Sequence, residues 1–298
     1  MTVYNIDGRL AAGLLGGMLC ATAALAAPPG TLPFGVYDPN GTFIDDPDVS
    51  IEHLFLPWES VSLQSLYDAD DYAVERGRSV LFTIEPWTWT KSERNTPEFL
   101  IEGIKNGTYD GNMAMICAIL NDFKSPVTVR WAHEMDSLNG QFTWALWEPE
   151  SYITAYKRMV DVCRTQAPNI DFMWSPLGEN GLQNYFPGKD YVDVVGLSVF
   201  GLQAWDKQIL GKERTFREVL EPRYDRVLSF GLPIVVAELG VSGDAEYVDK
   251  WLKDVRQDIN GLKELVAVIY FNQTEVHPWP DGFGMPDWRF GHNVIEQR

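Results

Sequence analysis

The sequence predicts a single α/β domain of (β/α)8 TIM-barrel class with shortened first and last βα units. Three observations lead there. Eight short apolar runs rich in Val, Ile and Phe recur along the chain, most of them separated by segments of helical periodicity. Runs that are apolar almost throughout suit strands of a parallel sheet buried on both faces. The early glycines, Gly35 and Gly41, form no G-x-G-x-x-G after the first run, which speaks against a doubly wound sheet with a phosphate loop. At 298 residues the chain has room for such a barrel.

Residues 31–37 and 51–56 read as the first two strands, with too little chain between them for a full helix. Residues 62–77 place Leu66, Ala69, Tyr72 and Ala73 on one helical face, and 79–84 (SVLFTI) form the third strand. Residues 97–123 hold one or two helices, with Asn106-Gly107 as the break. The fourth strand is 126–130. A helix over 151–166 carries Ile153, Tyr156, Met159, Val160 and Cys163 on one face, with Ser151 as its N-cap. Strands at 171–174 and 192–199 flank a loop through Gly181 and Gly188. A helix at 215–228, a strand at 233–237, a helix at 245–259 and a strand at 265–271 complete the pattern. The tail beyond Thr274 reads as a loop packed over the barrel mouth.

Residues 1–27 stand apart. Arg9 precedes an apolar, small-residue run that ends in Ala24-Leu25-Ala26, an A-x-A-like cleavage site. This reads as a secretory signal peptide, so the expected domain is 28–298 and the expected location is secreted or periplasmic. An uncleaved anchor is the rival, since the run of about 18 residues is near the lower limit for a span. Cys117 and Cys163 remain beyond it, as two buried thiols or one disulfide.

Hydrophobic residues make up 45% of the chain, enough for a sizeable core. The net charge of −18 argues against nucleic acid as a partner and against anionic membranes. It also disfavours a polyanionic substrate, unless the cleft is locally basic. A neutral polymer fits, and a monomer is expected. The 11 Trp can serve the core or stack on the apolar faces of sugar rings.

In a barrel of this kind the residues just past the C-terminal strand ends line the active site. Those positions hold Asp38; Trp58 and Glu59; Glu85 and Trp87; Arg130, Trp131, His133 and Glu134; Trp174 and Ser175; Ser198, Phe200 and Trp205; Glu238; Asn272 and Gln273. The set is acidic and aromatic, with no cysteine and no Ser-His-Asp combination. Two carboxylates among aromatic platforms suit glycoside hydrolysis. One must keep its proton for the leaving oxygen and the other must be ionised. Glu134 and Glu238 are the candidates. Arg130 would hold Glu238 ionised, and an aromatic pocket beside Trp131 would keep Glu134 protonated. A His-Glu-x-x-His zinc motif would need a histidine at 137, where Ser137 stands, so no metal and no cofactor are expected. The plainer alternatives are a structural Arg130–Glu134 ion pair and a helix-capping Glu238.

At these residues the sequence resembles glycoside hydrolase family 26. Arg130-Trp131-Ala132-His133-Glu134-Met135 is similar to the family's acid/base motif, with an Arg four residues before the Glu. Gly140-Gln141-Phe142, Trp144 to Trp147, Phe172 to Pro176, Tyr191 to Gly196 and Pro233 to Gly240 resemble its continuation. The resemblance implies a retaining endo-β-glycanase acting on a mannan- or glucan-type polysaccharide through a glycosyl-enzyme. Glu134 would be the acid/base and Glu238 the nucleophile. His133, Arg130, Trp131, Trp174, Trp58, Glu85, Trp87, Phe200 and Trp205 would serve substrate binding. Two positions depart from the family pattern. Phe200 stands where a Tyr usually bonds the nucleophile, and Asp136 stands where mannan-cleaving members carry Asn. Phe200 motivates an alternative, a weakened barrel that binds polysaccharide and takes part in exopolysaccharide processing.

Overall fold

The computed structural model describes residues 32–59, 61–87, 96–257 and 261–295. The expected signal peptide at 1–27 lies outside them. Eight parallel strands close into a barrel in sequence order: β1 (Phe34–Tyr37), β2 (Val49–Pro57), β3 (Ser79–Glu85), β4 (Val127–Trp131), β5 (Asp171–Trp174), β6 (Val194–Leu202), β7 (Ile234–Ser242) and β8 (Leu265–Phe271). The (β/α)8 expectation is met.

The outer layer comprises α1 (Leu63–Arg76), α2 (Pro97–Lys105), α3 (Asp110–Leu120), α4 (Pro149–Gln166), the single turn α5 (Gln203–Trp205), α6 (Phe216–Leu228) and α7 (Ala245–Gln257). The expected break at Asn106-Gly107 separates α2 from α3. The connection from β1 to β2 contains no helix, and β8 is followed only by a 3-10 turn at Pro280–Gly282. The β5–β6 crossover is also short of an α-helix, with a single 3-10 turn at Leu182–Tyr185. Ser151 is not the cap of α4. The helix starts at Pro149, whose fixed φ suits the first helical position, and Ser151 instead meets Lys105 Nζ at 3.2 Å. Cys117 of α3 and Cys163 of α4 form a disulfide.

Side-chain parity sorts the barrel into layers. Leu81, Met173, Val235, Ala237, Ala267 and Ile269 fill the lower interior. His53, Thr83 and Arg130 make a polar layer above them. Residues of opposite parity, such as Phe82, Val129, Trp131, Phe172 and Trp174, pack outward in the main core. The tail folds back over the mouth as expected. Asn272 holds it by donating to Asp38 Oδ1 at 2.6 Å and accepting from the Phe290 amide at 2.6 Å.

Candidate active site

Glu238 reaches the cleft because of an irregularity in β7. Leu197 pairs with Val236, but the next residue, Ser198, pairs with Glu238. One residue is extra on β7, and such a bulge re-aims the side chains beyond it. Ala237 and Glu238 therefore both serve the interior. In a regular strand one of the two would face the helices.

Glu134 is delivered differently. β4 ends at Trp131, and the chain then turns through Ala132 (φ 46°) and Glu134 (φ 53°), both in the left-handed region. Each such non-glycine residue costs on the order of 1–3 kcal/mol. Hydrogen bonds hold the turn. The Glu134 amide donates to the Ser175 carbonyl at 2.7 Å, Trp144 Nε1 donates to the His133 carbonyl at 2.6 Å, and the Tyr152 hydroxyl donates to the Ala132 carbonyl at 3.2 Å. Asp136 continues the turn by accepting three amides, from Leu177, Gly178 and Glu179, at 2.6–3.0 Å. It anchors the loop after β5 and does not face the cleft.

The two carboxyls have different partners. Arg130, fully buried, donates through Nη1 to Glu238 Oε1 at 2.5 Å and to Thr83 Oγ1 at 3.3 Å. Thr83 Oγ1 lies 2.7 Å from His53 Nε2. Since the hydroxyl accepts from Arg130, its own proton is free for a neutral His53. Burial, and then the Arg130 charge, hold His53 well below its usual range. Among the described residues, Glu134 accepts only the Ser198 hydroxyl, at Oε1. Burial, then the charge of Glu238, raise the Glu134 pKa, with Arg130 and Ser198 opposing. Burial raises Glu238 too, but its ion pair with Arg130 works against that. A protonated Glu238 would leave Arg130 as a buried charge without its partner, so the shared proton belongs on Glu134.

A cavity of about 550 Å³ opens above the pair. Glu85, His133, Glu134, Phe200, Trp205 and Glu238 line it, as the sequence led one to expect. His133 is buried against Phe142 at 4.6 Å and Phe55 at 5.9 Å. Burial, with Arg130 adding, keeps it well below its usual pKa and therefore neutral. Glu85 is pushed up to about 7, chiefly by burial.

Four tryptophans expected on the cleft do not line it. Trp131 packs outward against Tyr152 and Tyr156, because it is one residue from the inward-facing Arg130. Trp174, next to inward-facing Met173, packs edge-on against the stacked pair Phe186 and Phe230. Trp58 stacks on Tyr109 at 4.7 Å, and Trp87 meets Trp144 edge-on at 4.9 Å. Arg130 is likewise no direct ligand: it lies beneath the cavity and acts through Glu238. Trp131 thus has no part in the protonation of Glu134. Besides Phe200 and Trp205, the aromatic lining comes from Tyr37, Phe55, Phe142, Phe271 and Trp279. His53 and Thr83 were not singled out by the sequence, although each interrupts an apolar strand run at an inward position.

A closed (β/α)8 barrel with two buried carboxyls at the ends of its fourth and seventh strands defines a protein of glycosidase architecture. The sequence profile of glycosyl hydrolase family 26 matches residues 104–220, the span that includes Arg130, His133 and Glu134. A β-1,3-xylanase of a Vibrio species is 34% identical over 115 residues, and one of an Alcaligenes species is 32% identical over 115. Each alignment spans 36% of this chain and 24% of the relative, so the chain matches about a quarter of those proteins' length. Among solved structures, a family 26 β-mannanase from Bacteroides ovatus superposes with a TM-score of 0.60 at 19% identity. That match covers 83% of this chain and 81% of the mannanase. A Cellulomonas fimi endo-β-1,4-mannanase gives 0.62 at 16%, covering 81% and 65%. At these identities the structural likeness concerns the fold.

Among the described residues, no helix is long and apolar enough to cross a membrane.

Proposed function

We propose that the protein is a retaining endo-β-glycanase that cleaves a β-linked mannan-, glucan- or xylan-type polysaccharide by double displacement. The observation that carries the reading is the unequal support of two buried glutamates at one cleft. Glu238 is held by the Arg130 guanidinium, and Glu134 by a single hydroxyl. Glu238 attacks the anomeric carbon while Glu134 gives its proton to the departing oxygen. Glu134, then ionised, takes a proton from the water that releases the sugar from Glu238. Both barriers fall because each carboxyl is in the required state before substrate arrives. His133, neutral and walled by Phe55 and Phe142, is suited to bond a sugar hydroxyl without adding charge.

The relatives include β-1,3-xylanases and the structural neighbours β-1,4-mannanases, so both backbones are candidate substrates. Phe200 does not favour the binding-only alternative, because Glu238 already has a charged donor in Arg130. The signal-like residues 1–27 and the Cys117–Cys163 disulfide support a secreted or periplasmic location.

Incubation with mannan, glucomannan, mixed-linkage glucan, cellulose and β-1,3-xylan, with product lengths resolved, tests the reading. Internal cleavage of at least one is expected, with the β-anomer formed first. Binding without product from any of them would contradict hydrolysis, and release of the α-anomer would contradict retention.

A further inference from the structure

Two arginines line the cleft of this strongly acidic chain, and the mechanism uses neither. Arg214 is fixed by Asp206, which accepts from Nε at 2.9 Å and Nη2 at 2.7 Å and is itself fully buried. Its guanidinium also lies 5.2 Å from the Trp205 ring, on the cavity wall.

Arg223, from the middle of α6, is held far less tightly. Its contacts are the Val219 carbonyl at 3.4 Å and the Glu179 carboxylate at 3.5 Å, and that Glu side chain is half exposed. Yet the Arg223 side chain is only 19% exposed, and its stem packs over Gly178. A guanidinium taken largely out of water normally has short, bidentate partners. Burial, the largest cause, lowers the Arg223 pKa, with the Glu179 charge opposing.

The surroundings are rigid. Asp136 fixes the amides of 177–179 from one side, and Arg226 Nη1 donates to the Gly178 carbonyl at 2.7 Å from the other. The position along the cleft follows from the loop that carries its partner. Glu179, 3.5 Å from Arg223, is held through its amide by Asp136, two residues beyond Glu134, and the Glu134 amide donates to Ser175 at the start of the same loop. Arg223 therefore sits on the Glu134 side, where the departing sugar lies when Glu134 protonates the leaving oxygen.

Resting on the glycanase reading above, we propose that Arg223, with Arg214 beside it, forms an anion subsite on the leaving-group side of Glu134, and that the glycan cleaved here carries a carboxylate there. A chain of net charge −18 repels polyanions at long range. A sparsely carboxylated glycan meets less of that repulsion, and the fork of Arg223 offers its carboxylate two parallel N–H donors.

The test uses the full chain with Glu238→Gln, so that nothing is turned over and the result does not depend on hydrolysis. D-glucuronate and D-glucose are titrated at low ionic strength and followed by NMR. Glucuronate is expected to bind at least about tenfold more tightly than glucose, the worth of one charge-assisted hydrogen-bonded pair. Adding Arg223→Gln removes the preference, and Arg223→Lys keeps part of it. Equal affinity for the two sugars, no binding of either, or a preference untouched by Arg223→Gln overturns the proposal and leaves Arg223–Glu179 as a structural ion pair. Failure of the glycanase reading shows separately, as wild-type chain that cuts none of the polysaccharides.

Discussion

Glu238 and Glu134 enter one cleft from strands three positions apart, and their environments differ in kind. Glu238 is aimed by a bulge within a regular strand and rests on a buried guanidinium. Glu134 is aimed by a strained left-handed turn and meets a neutral hydroxyl. Burial alone would push both carboxyls toward the neutral form. Placing a buried cation under one of them makes that one the better anion, and its charge then helps the other keep a proton. In the proposed mechanism one arginine thus assigns two roles.

The strongest way to break the comparison is to remove the anion. Glu238→Gln is expected to lower kcat by on the order of 10^4-fold or more, as loss of a nucleophile does. Wild-type turnover in that variant would end the assignment. Glu134→Gln comes next. With polysaccharide or other poor leaving groups the loss is roughly 10^2–10^4-fold, the worth of a positioned acid. With an activated aryl glycoside the first step needs no proton, so bond cleavage slows far less. A comparison of the two substrate types reads this directly.

Arg130→Met removes the asymmetry itself. Breaking a buried pair costs about 3–5 kcal/mol, so some stability is lost and a melting curve must accompany the kinetics. Without the guanidinium the Glu238 pKa rises. Because Glu238 must be ionised, the acid limb of the kcat/KM profile moves to higher pH. A folded variant with an unmoved acid limb would refute the role given to Arg130. The smallest effect is expected from Ser198→Ala. The hydroxyl donates to Glu134 and favours its charged form, so its loss raises the Glu134 pKa further. Activity requires the protonated form, so the basic limb, which falls as pH rises through about 8 in the wild type, moves upward. The rate falls only about fivefold, as for one hydrogen bond between neutral groups.

The same pair shows what the sequence could reveal. The barrel was legible because apolar strands and periodic helices repeat, and Glu134 because Arg130, His133 and Glu134 cluster at a strand end. The outward packing of Trp131 and Trp174 is legible from parity: if Arg130 faces inward, its neighbour Trp131 faces out. The β7 bulge was not legible, since Val235, Val236 and Ala237 fit a regular strand equally well. Nor were Arg214 and Arg223. They are brought to the cleft by tertiary packing of the β6–α6 segment, and nothing in their local sequence marks them.

The central claim is the division of protonation between the two glutamates, and carboxyl 13C chemical shifts of Glu134 and Glu238 across a pH titration measure it most directly. The account predicts that near neutral pH Glu238 is ionised while Glu134 still carries its proton. A titration in which Glu134 ionises first, or in which both ionise together near the ordinary glutamate value, would contradict it.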